Sequence, residues 1–235
     1  RWPIDPVFDK VAANVASVIE DGSCISFSLG PLYEPLAKHL MQKKDLGVHS
    51  PIFSDALMDL VKSGAVTNRY KQHFPGKSLT SYALGTQELL NWLDLNPLVE
   101  FQGIDKVFNP MRIGKNPKFV AITNIRKIDL TGGISLHVGK GNVTTDSAEV
   151  IDFVNGAEIS EGGYSVFALP SRNLKGEANI KLSLEDIPNQ MNIRESVDLV
   201  VTEYGVANLN GRTMRERAMA LIEIAHPDDR AKLIE

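Results

Sequence analysis

Glycine-bearing turns at the ends of predicted strands are the part of this sequence best suited to ligand binding. They contain Gly30, Gly132-Gly133, Gly162-Gly163 and Gly205. Glycine lets a backbone approach an anionic group closely, and successive N–H groups can cradle that anion. Each glycine taken alone is better explained by a tight turn. The pattern therefore indicates a binding site only where the fold brings several of these turns together.

Signatures of several common chemistries are missing from the sequence. It has no Gly-x-x-x-x-Gly-Lys-Ser/Thr loop, no Gly-x-Gly-x-x-Gly fingerprint, no Gly-x-Ser-x-Gly elbow and no Cys-x-x-Cys pair. The histidines are never closely spaced, so no metal site is predicted. Cys24 is the single cysteine, and its apolar neighbours favour a small buried residue over a catalytic thiol.

The composition excludes further classes of protein. The 235 residues are 43% hydrophobic and 23% charged with a formal charge of -4, which is typical of a globular domain and not of a disordered tail. Without a basic block, neither nucleic acid nor an anionic membrane is an expected partner. No apolar run approaches the roughly 20 residues that span a bilayer, so we expect a soluble, cytoplasmic protein. Because the chain starts at Arg1, we also expect a processed product or a piece of a longer protein.

Strand and helix patterns alternate along the chain and define the elements that must position any site. Strands are predicted at 24–29, 47–49, 79–84, 119–124, 127–130, 134–138, 165–169 and 199–203. Helices are predicted from Pro6 to near Gly22 and at 34–42, 55–62, 87–93, 148–155 and 213–225. Strands separated by helices predict an α/β fold, an open and mostly parallel sheet with helices on both faces.

Three local signals sharpen this prediction. Asp5 followed by Pro6 is a helix start, and Thr213 with Glu216 has the spacing of a capping box. Residues 129–133, which end in two glycines between short strands, predict an antiparallel hairpin.

Motifs along nearly the whole chain resemble the acetyl-CoA hydrolase/transferase family, which includes acetate and 4-hydroxybutyrate CoA-transferases. The most specific segment is 201–209, and the segments 45–50, 53–55, 128–132, 152–157, 211–213, 215–218 and 224–228 follow the family's order. The match corresponds to the C-terminal half of the family's usual two-domain chain. The resemblance therefore implies a CoA-transferase-type fold, with residues 1–235 as a single domain and the N-terminal half absent.

The resemblance also implies a mechanism. In that family a glutamate attacks an acyl-CoA thioester, and the resulting anhydride is converted by CoA into an enzyme-bound thioester, with no metal and no permanently bound cofactor. The implied partners are coenzyme A or its thioester, a small carboxylate, the missing N-terminal domain and, as a further option, a second copy in a homodimer. The implied CoA-binding residues are Gly30, Asp152, Phe153, Gly156, Ala157, Gly162, Gly163, Tyr204 and Gly205.

The sequence departs from the family at the catalytic elements. The family's glutamate stands two residues before the aspartate at position 129, which places Lys127 at the nucleophile position. The family's glycine-glycine-glutamine run is Ala148-Glu149-Val150 here, and the first strand ends with Ser26 and Ser28 in place of glutamine and glycine. An amine that attacks a thioester forms a stable amide, so Lys127 cannot simply replace the glutamate.

These departures leave several readings of the residues open. Lys127 either pairs with a phosphate or carboxylate of the ligand or makes a structural ion pair. Glu149 is a surrogate carboxylate or a solvent-facing helix residue, and Tyr204 lines the ligand channel or completes the core. We therefore carry two hypotheses: an acyl-CoA transferase or hydrolase with altered chemistry, and a catalytically degenerate module that binds acyl-CoA or holds an adjoining domain.

Overall fold

A twisted eight-stranded sheet forms the centre of the molecule. The computed structural model describes residues 1, 3–136, 147–187, 190–191 and 193–235. The strand order is β12-β11-β8-β5-β1-β2-β3-β4, and every neighbouring pair is parallel except β11 and β12. The strands are β1 (Cys24–Ser26), β2 (Gly47–Phe53), β3 (Ser78–Ala83), β4 (Val99–Phe101), β5 (Phe119–Asn124), β8 (Tyr164–Ala168), β11 (Leu199–Thr202) and β12 (Gly205–Asn208).

Helices cover both faces of this sheet because its strands alternate apolar side chains between the faces. On β5, Val120 and Ile122 join the hydrophobic cluster that includes the helices α1 to α3, whereas Phe119 and Ala121 join the cluster that includes α7 and α8. The helices are α1 (Pro6–Ser17), α2 (Tyr33–Leu40), α3 (Asp55–Lys62), α4 (Gln87–Leu93), α5 (Ile104–Val107), α6 (Pro110–Ile113), α7 (Ser147–Ile159), α8 (Met214–Ile224) and α9 (Pro227–Ile234).

A small four-stranded sheet lies beside the carboxyl end of β5. Its order is β10-β7-β6-β9, with β6 (Lys127–Asp129), β7 (Ile134–Ser135), β9 (Ile180–Lys181) and β10 (Gln190–Met191). The strands β6 and β7 form the predicted antiparallel hairpin, in which Asp129 Oδ1 accepts hydrogen bonds from the N–H groups of Thr131 and Gly133. This carboxylate fixes the turn that follows β6.

The structure confirms the predicted fold class and the local helix signals. The side chain of Asp5 accepts a hydrogen bond from the N–H of Val7, and both hydrogen bonds of the Thr213–Glu216 capping box are present. Helix α1 ends at Ser17, earlier than predicted, because the chain turns at 18–22 before β1 begins. Only residues 134–136 of the strand predicted at 134–138 fall within the described residues.

None of the helices described in residues 1, 3–136, 147–187, 190–191 and 193–235 combines the length and the apolar character that crossing a membrane requires.

Candidate active site

A cleft opens where the strands β1 and β5 end and the helix α7 begins. Because both strands are parallel and adjacent, their carboxyl ends lie side by side, which is the usual place for a ligand in an open α/β sheet. The cleft has about 510 Å³ of empty space, including the part open to solvent. It is lined by Ser26, Phe27, Ser28, Leu29, Tyr33, Pro51, Ile122, Thr123, Asn124, Leu136, Glu149, Val150 and Phe153.

Glu149 is the charged side chain among these lining residues. It lies in the first turn of α7, where the helix dipole favours a negative charge. Burial raises the pKa of Tyr82, and the nearby Glu149 carboxylate raises it further. Among the residues predicted to be catalytic, Glu149 is therefore the one that the structure brings into the cleft.

Tyr33 ties the two strand ends together beneath the cleft. Its ring is buried, and its hydroxyl group donates a hydrogen bond to the carbonyl oxygen of Ile122 across 3.0 Å. Burial raises the pKa of Tyr33, while the backbone N–H groups of Asn124 and Ser28 oppose this rise. The hydroxyl group thus contacts the backbone of β5 and of the segment that follows β1.

The cleft also contains polar side chains that are not used within the protein. The side chains of Ser26, Ser28, Thr123 and Asn124 form no hydrogen bond with another residue in the described part of the chain. Ser26 is buried and the other three are half-exposed, so these groups can reach a ligand in the cleft. The cleft thus offers neutral hydrogen-bonding groups next to one carboxylate.

Gly30 follows the lining residue Leu29 and is not itself among the residues that line the cleft. Its φ angle is +147°, and a Cβ atom there would lie 3.1 Å from the Nδ2 atom of Asn124. The positive φ angle therefore disfavours a side chain at this position, and a Cβ atom would also require the tip of the Asn124 side chain to shift slightly.

Lys127 lies outside the set of residues that line the cleft. Its side chain is buried, and Nζ donates hydrogen bonds of 3.3 Å to the carbonyl oxygen of Ala178 and to Oδ1 of Asn179. Burial lowers the pKa of Lys127, and the nearby Lys181 lowers it further. These hydrogen bonds connect β6 to the segment that precedes β9, so the amine stabilises the small sheet.

The residues predicted to bind CoA on α7 have different surroundings. Phe153 lines the cleft but also packs in the core against Phe108 and Phe119, while Ala157 is fully buried. A Cβ atom on Gly156 would collide with Ile113, so this glycine allows α6 to pack closely against α7. Asp152 is half-buried on the same helix and is not among the residues that line the cleft.

Gly162 and Gly163 lie far from the cleft along the strand direction. They precede β8 and therefore stand at the amino end of the sheet. Gly162 has a φ angle of +74°, and a Cβ atom on Gly163 would collide with the carbonyl group of Ala157. The turn between α7 and β8 accounts for both glycines.

Tyr204 and Gly205 lie at the same end of the sheet as the cleft, but they follow the strand β11. This strand is separated from β5 by β8, a displacement of about 10 Å between strand axes. The Tyr204 ring is exposed, with its edge against His226 and the guanidinium group of Arg230 at 5.8 Å from its centre. Gly205, with a φ angle of +146°, begins β12 directly after the turn at 203–204.

Sequence reasoning missed a buried polar cluster at the opposite end of the sheet. The Nε2 atom of His49 lies 2.7 Å from the carbonyl oxygen of Val107, and its Nδ1 atom lies 3.3 Å from the amide of Asn116. Burial lowers the pKa of His49 to about 3 and that of Lys71 to about 8. His49 stands between Val48 and Ser50 in β2, and its partners are distant in sequence. No group of three or more metal-ligating side chains occurs within the described residues.

Comparisons with known proteins agree with this architecture. Residues 85–235 match the acetyl-CoA hydrolase/transferase C-terminal domain. The 4-hydroxybutyrate coenzyme A transferase of Clostridium kluyveri is 39% identical over 226 residues, which are 95% of this chain and 52% of that protein. The succinyl-CoA:acetate/propanoyl-CoA:succinate CoA transferase of Fasciola hepatica is 37% identical over 98% of this chain and 49% of its own length.

Solved structures show the same likeness. RipA from Yersinia pestis superposes with a TM-score of 0.90 at 31% identity over 100% of this chain and 52% of its own. A 4-hydroxybutyrate CoA-transferase from Porphyromonas gingivalis gives a TM-score of 0.86 at 35% identity over 100% of this chain and 56% of its own. The chain thus spans about half the length of the relatives it matches. By the match of its sequence and its fold, the chain belongs to the acetyl-CoA hydrolase/transferase family.

Proposed function

We propose that the chain is the C-terminal half of an acyl-CoA:carboxylate CoA-transferase whose nucleophile is Glu149. One observation carries this proposal: the Glu149 carboxylate lines the cleft, whereas the Lys127 amine hydrogen-bonds to Ala178 and Asn179 outside it. With Glu149 as the nucleophile, the covalent chemistry of the family is kept, although the attacking carboxylate comes from a different position in the sequence. As part of the same proposal, residues 1–235 form one domain that works with an N-terminal half, in the cytoplasm.

The proposed reaction has two covalent steps. Glu149 attacks the thioester carbonyl carbon, which releases CoA thiolate and leaves an acyl-glutamyl anhydride. The thiolate then attacks the glutamyl carbonyl carbon, which releases the acyl carboxylate and leaves a glutamyl-CoA thioester. An acceptor carboxylate reverses both steps, so one thioester replaces another.

Lys127 does not fit either step. Attack by its amine would give an amide, which carboxylates and thiolates do not readily displace, so the enzyme would be consumed. Its hydrogen bonds to two oxygen atoms also hold the amine away from the cleft. The lowered pKa of Lys127 follows from its burial and from Lys181, without reference to a substrate.

Trapping the intermediate in the full-length protein tests this proposal. The protein is incubated with acetyl-CoA and either hydroxylamine or borohydride, and modified peptides are located by mass spectrometry. We expect a hydroxamate or a reduced side chain at Glu149, and its loss in Glu149→Gln. Lys127→Met should still give the adduct, as should Glu158→Gln, which changes an exposed carboxylate on the same helix. An adduct on another carboxylate would contradict the assignment to Glu149.

A catalytically degenerate acyl-CoA-binding or scaffolding module is the second candidate. It is favoured by the lysine at position 127 together with the altered residues Ser26, Ser28 and Ala148, all at catalytic elements of the family. Such a module would bind CoA or acetyl-CoA in calorimetry but would form no covalent adduct. Binding without any trapped carboxylate would therefore select this candidate over the transferase.

A further inference from the structure

Asn124 is the last residue of β5, and its side chain lines the cleft together with Glu149. The side chain is half-buried, and its carboxamide forms no hydrogen bond with another described residue. The backbone of Asn124 is paired with Ala168 of β8, and its N–H group also lies near the Tyr33 hydroxyl group. The backbone of Asn124 is thus held in the sheet, while its side chain is free to bind a ligand.

Gly30 gives this carboxamide its space. A Cβ atom at position 30 would approach Nδ2 of Asn124 to 3.1 Å, and the φ angle of +147° is one that side-chain-bearing residues rarely adopt. The β1 side of the cleft is therefore shaped to leave room for an amide on the β5 side.

We propose that Asn124 binds the acyl carbonyl oxygen of a CoA thioester in the cleft, in the space that Gly30 leaves beside it. This inference rests on the proposed function. An amide N–H is a neutral donor, and it suits a carbonyl oxygen that gains negative charge when a carboxylate attacks the neighbouring carbon. Ser28 and Thr123 offer further hydroxyl groups at the same cleft.

Calorimetry with a pair of ligands that differ by one oxygen tests this role. The full-length protein is titrated with acetyl-CoA and with S-ethyl-CoA, in which a methylene group replaces the carbonyl group. The titrations use a Glu149→Gln background, so that the thioester survives. We expect acetyl-CoA to bind more tightly than S-ethyl-CoA, and Asn124→Ala to reduce that preference by about 3- to 10-fold.

Two further variants separate this role from a structural one. Asn124→Asp keeps the shape but replaces the donor by an anionic acceptor, so it should weaken acetyl-CoA binding at least as much as Asn124→Ala does. Gly30→Ala should reproduce the loss of preference by displacing the amide, and a melting curve reports any loss of folding at this strained position. Asn210→Ala is the matched control, because Asn210 is exposed beyond β12 at the other edge of the sheet and should keep the full preference.

The outcomes discriminate between the two proposals. A preference for acetyl-CoA that survives in Asn124→Ala would overturn the role of Asn124 and leave the proposed function standing. Binding of neither ligand to the parent protein would overturn both.

Discussion

The Nζ atom of Lys127 donates a hydrogen bond to Oδ1 of Asn179 across 3.3 Å, and thereby connects β6 to the start of β9. Asn179 continues the connection, because its Nδ2 atom donates to the carbonyl oxygen of Pro170. The position at which the family resemblance puts an attacking carboxylate is thus part of a hydrogen-bonded brace. This brace joins the small sheet to the segment that follows β8.

Reversing the charge at position 127 should therefore destabilise the protein. In Lys127→Glu, a buried carboxylate would face two oxygen acceptors without a donor, and we expect the free energy of unfolding to fall by about 3–5 kcal/mol. Lys127→Met keeps the apolar stem and loses only the hydrogen bonds, so the expected loss is about 1–3 kcal/mol. Denaturant titrations measure both changes.

The control for this pair is Lys175→Glu, the same charge reversal at an exposed residue of the neighbouring loop. We expect it to change stability by less than about 0.5 kcal/mol. Equal stability of Lys127→Glu and the parent protein would show that the brace does not contribute.

The stability of the protein should depend on pH through His49. Burial lowers its pKa from 6.5 to about 3, so the native state keeps the ring neutral while the unfolded state takes up a proton below pH 6.5. Stability is then fully present above pH 6.5 and is lost as the pH falls towards 3, by up to about 1.4 kcal/mol per pH unit.

His49→Gln removes this titration and should flatten the decline between pH 6.5 and pH 5, although the variant starts from a lower stability. Urea titrations at several pH values measure the two slopes. Parallel slopes for the parent and the variant would contradict the assignment of this pH dependence to His49.

Gly156 should act through packing rather than through ligand binding. Its Cα atom faces Ile113 on α6 so closely that an added methyl group must displace one of the helices. Overpacking of this kind costs about 1–3 kcal/mol, so Gly156→Ala should lower the melting temperature while the folded protein keeps its affinity for CoA. Glu158→Ala, at an exposed position of the same helix, is the control. A selective loss of CoA affinity in a fully stable Gly156→Ala protein would instead favour a direct contact with the ligand.

The capping box of α8 offers a local test. The side chain of Thr213 accepts a hydrogen bond from the N–H of Glu216, and Oε2 of Glu216 accepts one from the N–H of Thr213. Thr213→Ala removes the acceptor of the Glu216 N–H, whereas the backbone N–H of residue 213 can still donate to Glu216. This loss should cost about 1 kcal/mol, and Thr213→Ser should be close to neutral. Chemical denaturation of the three proteins measures the difference, and equal midpoints would argue against a stabilising cap.

Local signals in the sequence predicted local structure well. Asp5 with Pro6, Thr213 with Glu216, and the turn at residues 129–133 each depend on a few neighbouring residues, and all form as predicted. The short elements β4, α5 and α6 were missed, because three or four residues are too few to show a period. The predicted helix at 148–155 was too short at its carboxyl end, because α7 continues to Ile159. In the sequence, Gly156 indicates the end of a helix, but in the structure it lies inside the helix and allows Ile113 to pack closely.

The candidate site required the fold. The sequence identified Lys127 and Glu149 as the two residues of interest but could not tell which of them reaches the cleft. Lys127 hydrogen-bonds to Asn179, 52 residues away, and Asn124 lies beside Gly30 in the loop that follows β1. Such contacts depend on the order of the strands in the sheet, and the residue pattern of one strand does not reveal that order.

Cys24 begins the central strand β1, and its side chain is buried. Burial raises the pKa of this thiol to about 12, so at neutral pH it is protonated as well as inaccessible. An alkylating reagent can then reach it only when β1 separates from its neighbours. Cys24 is the single cysteine of the chain. Its rate of labelling therefore measures how often β1 opens, and no engineered probe is required.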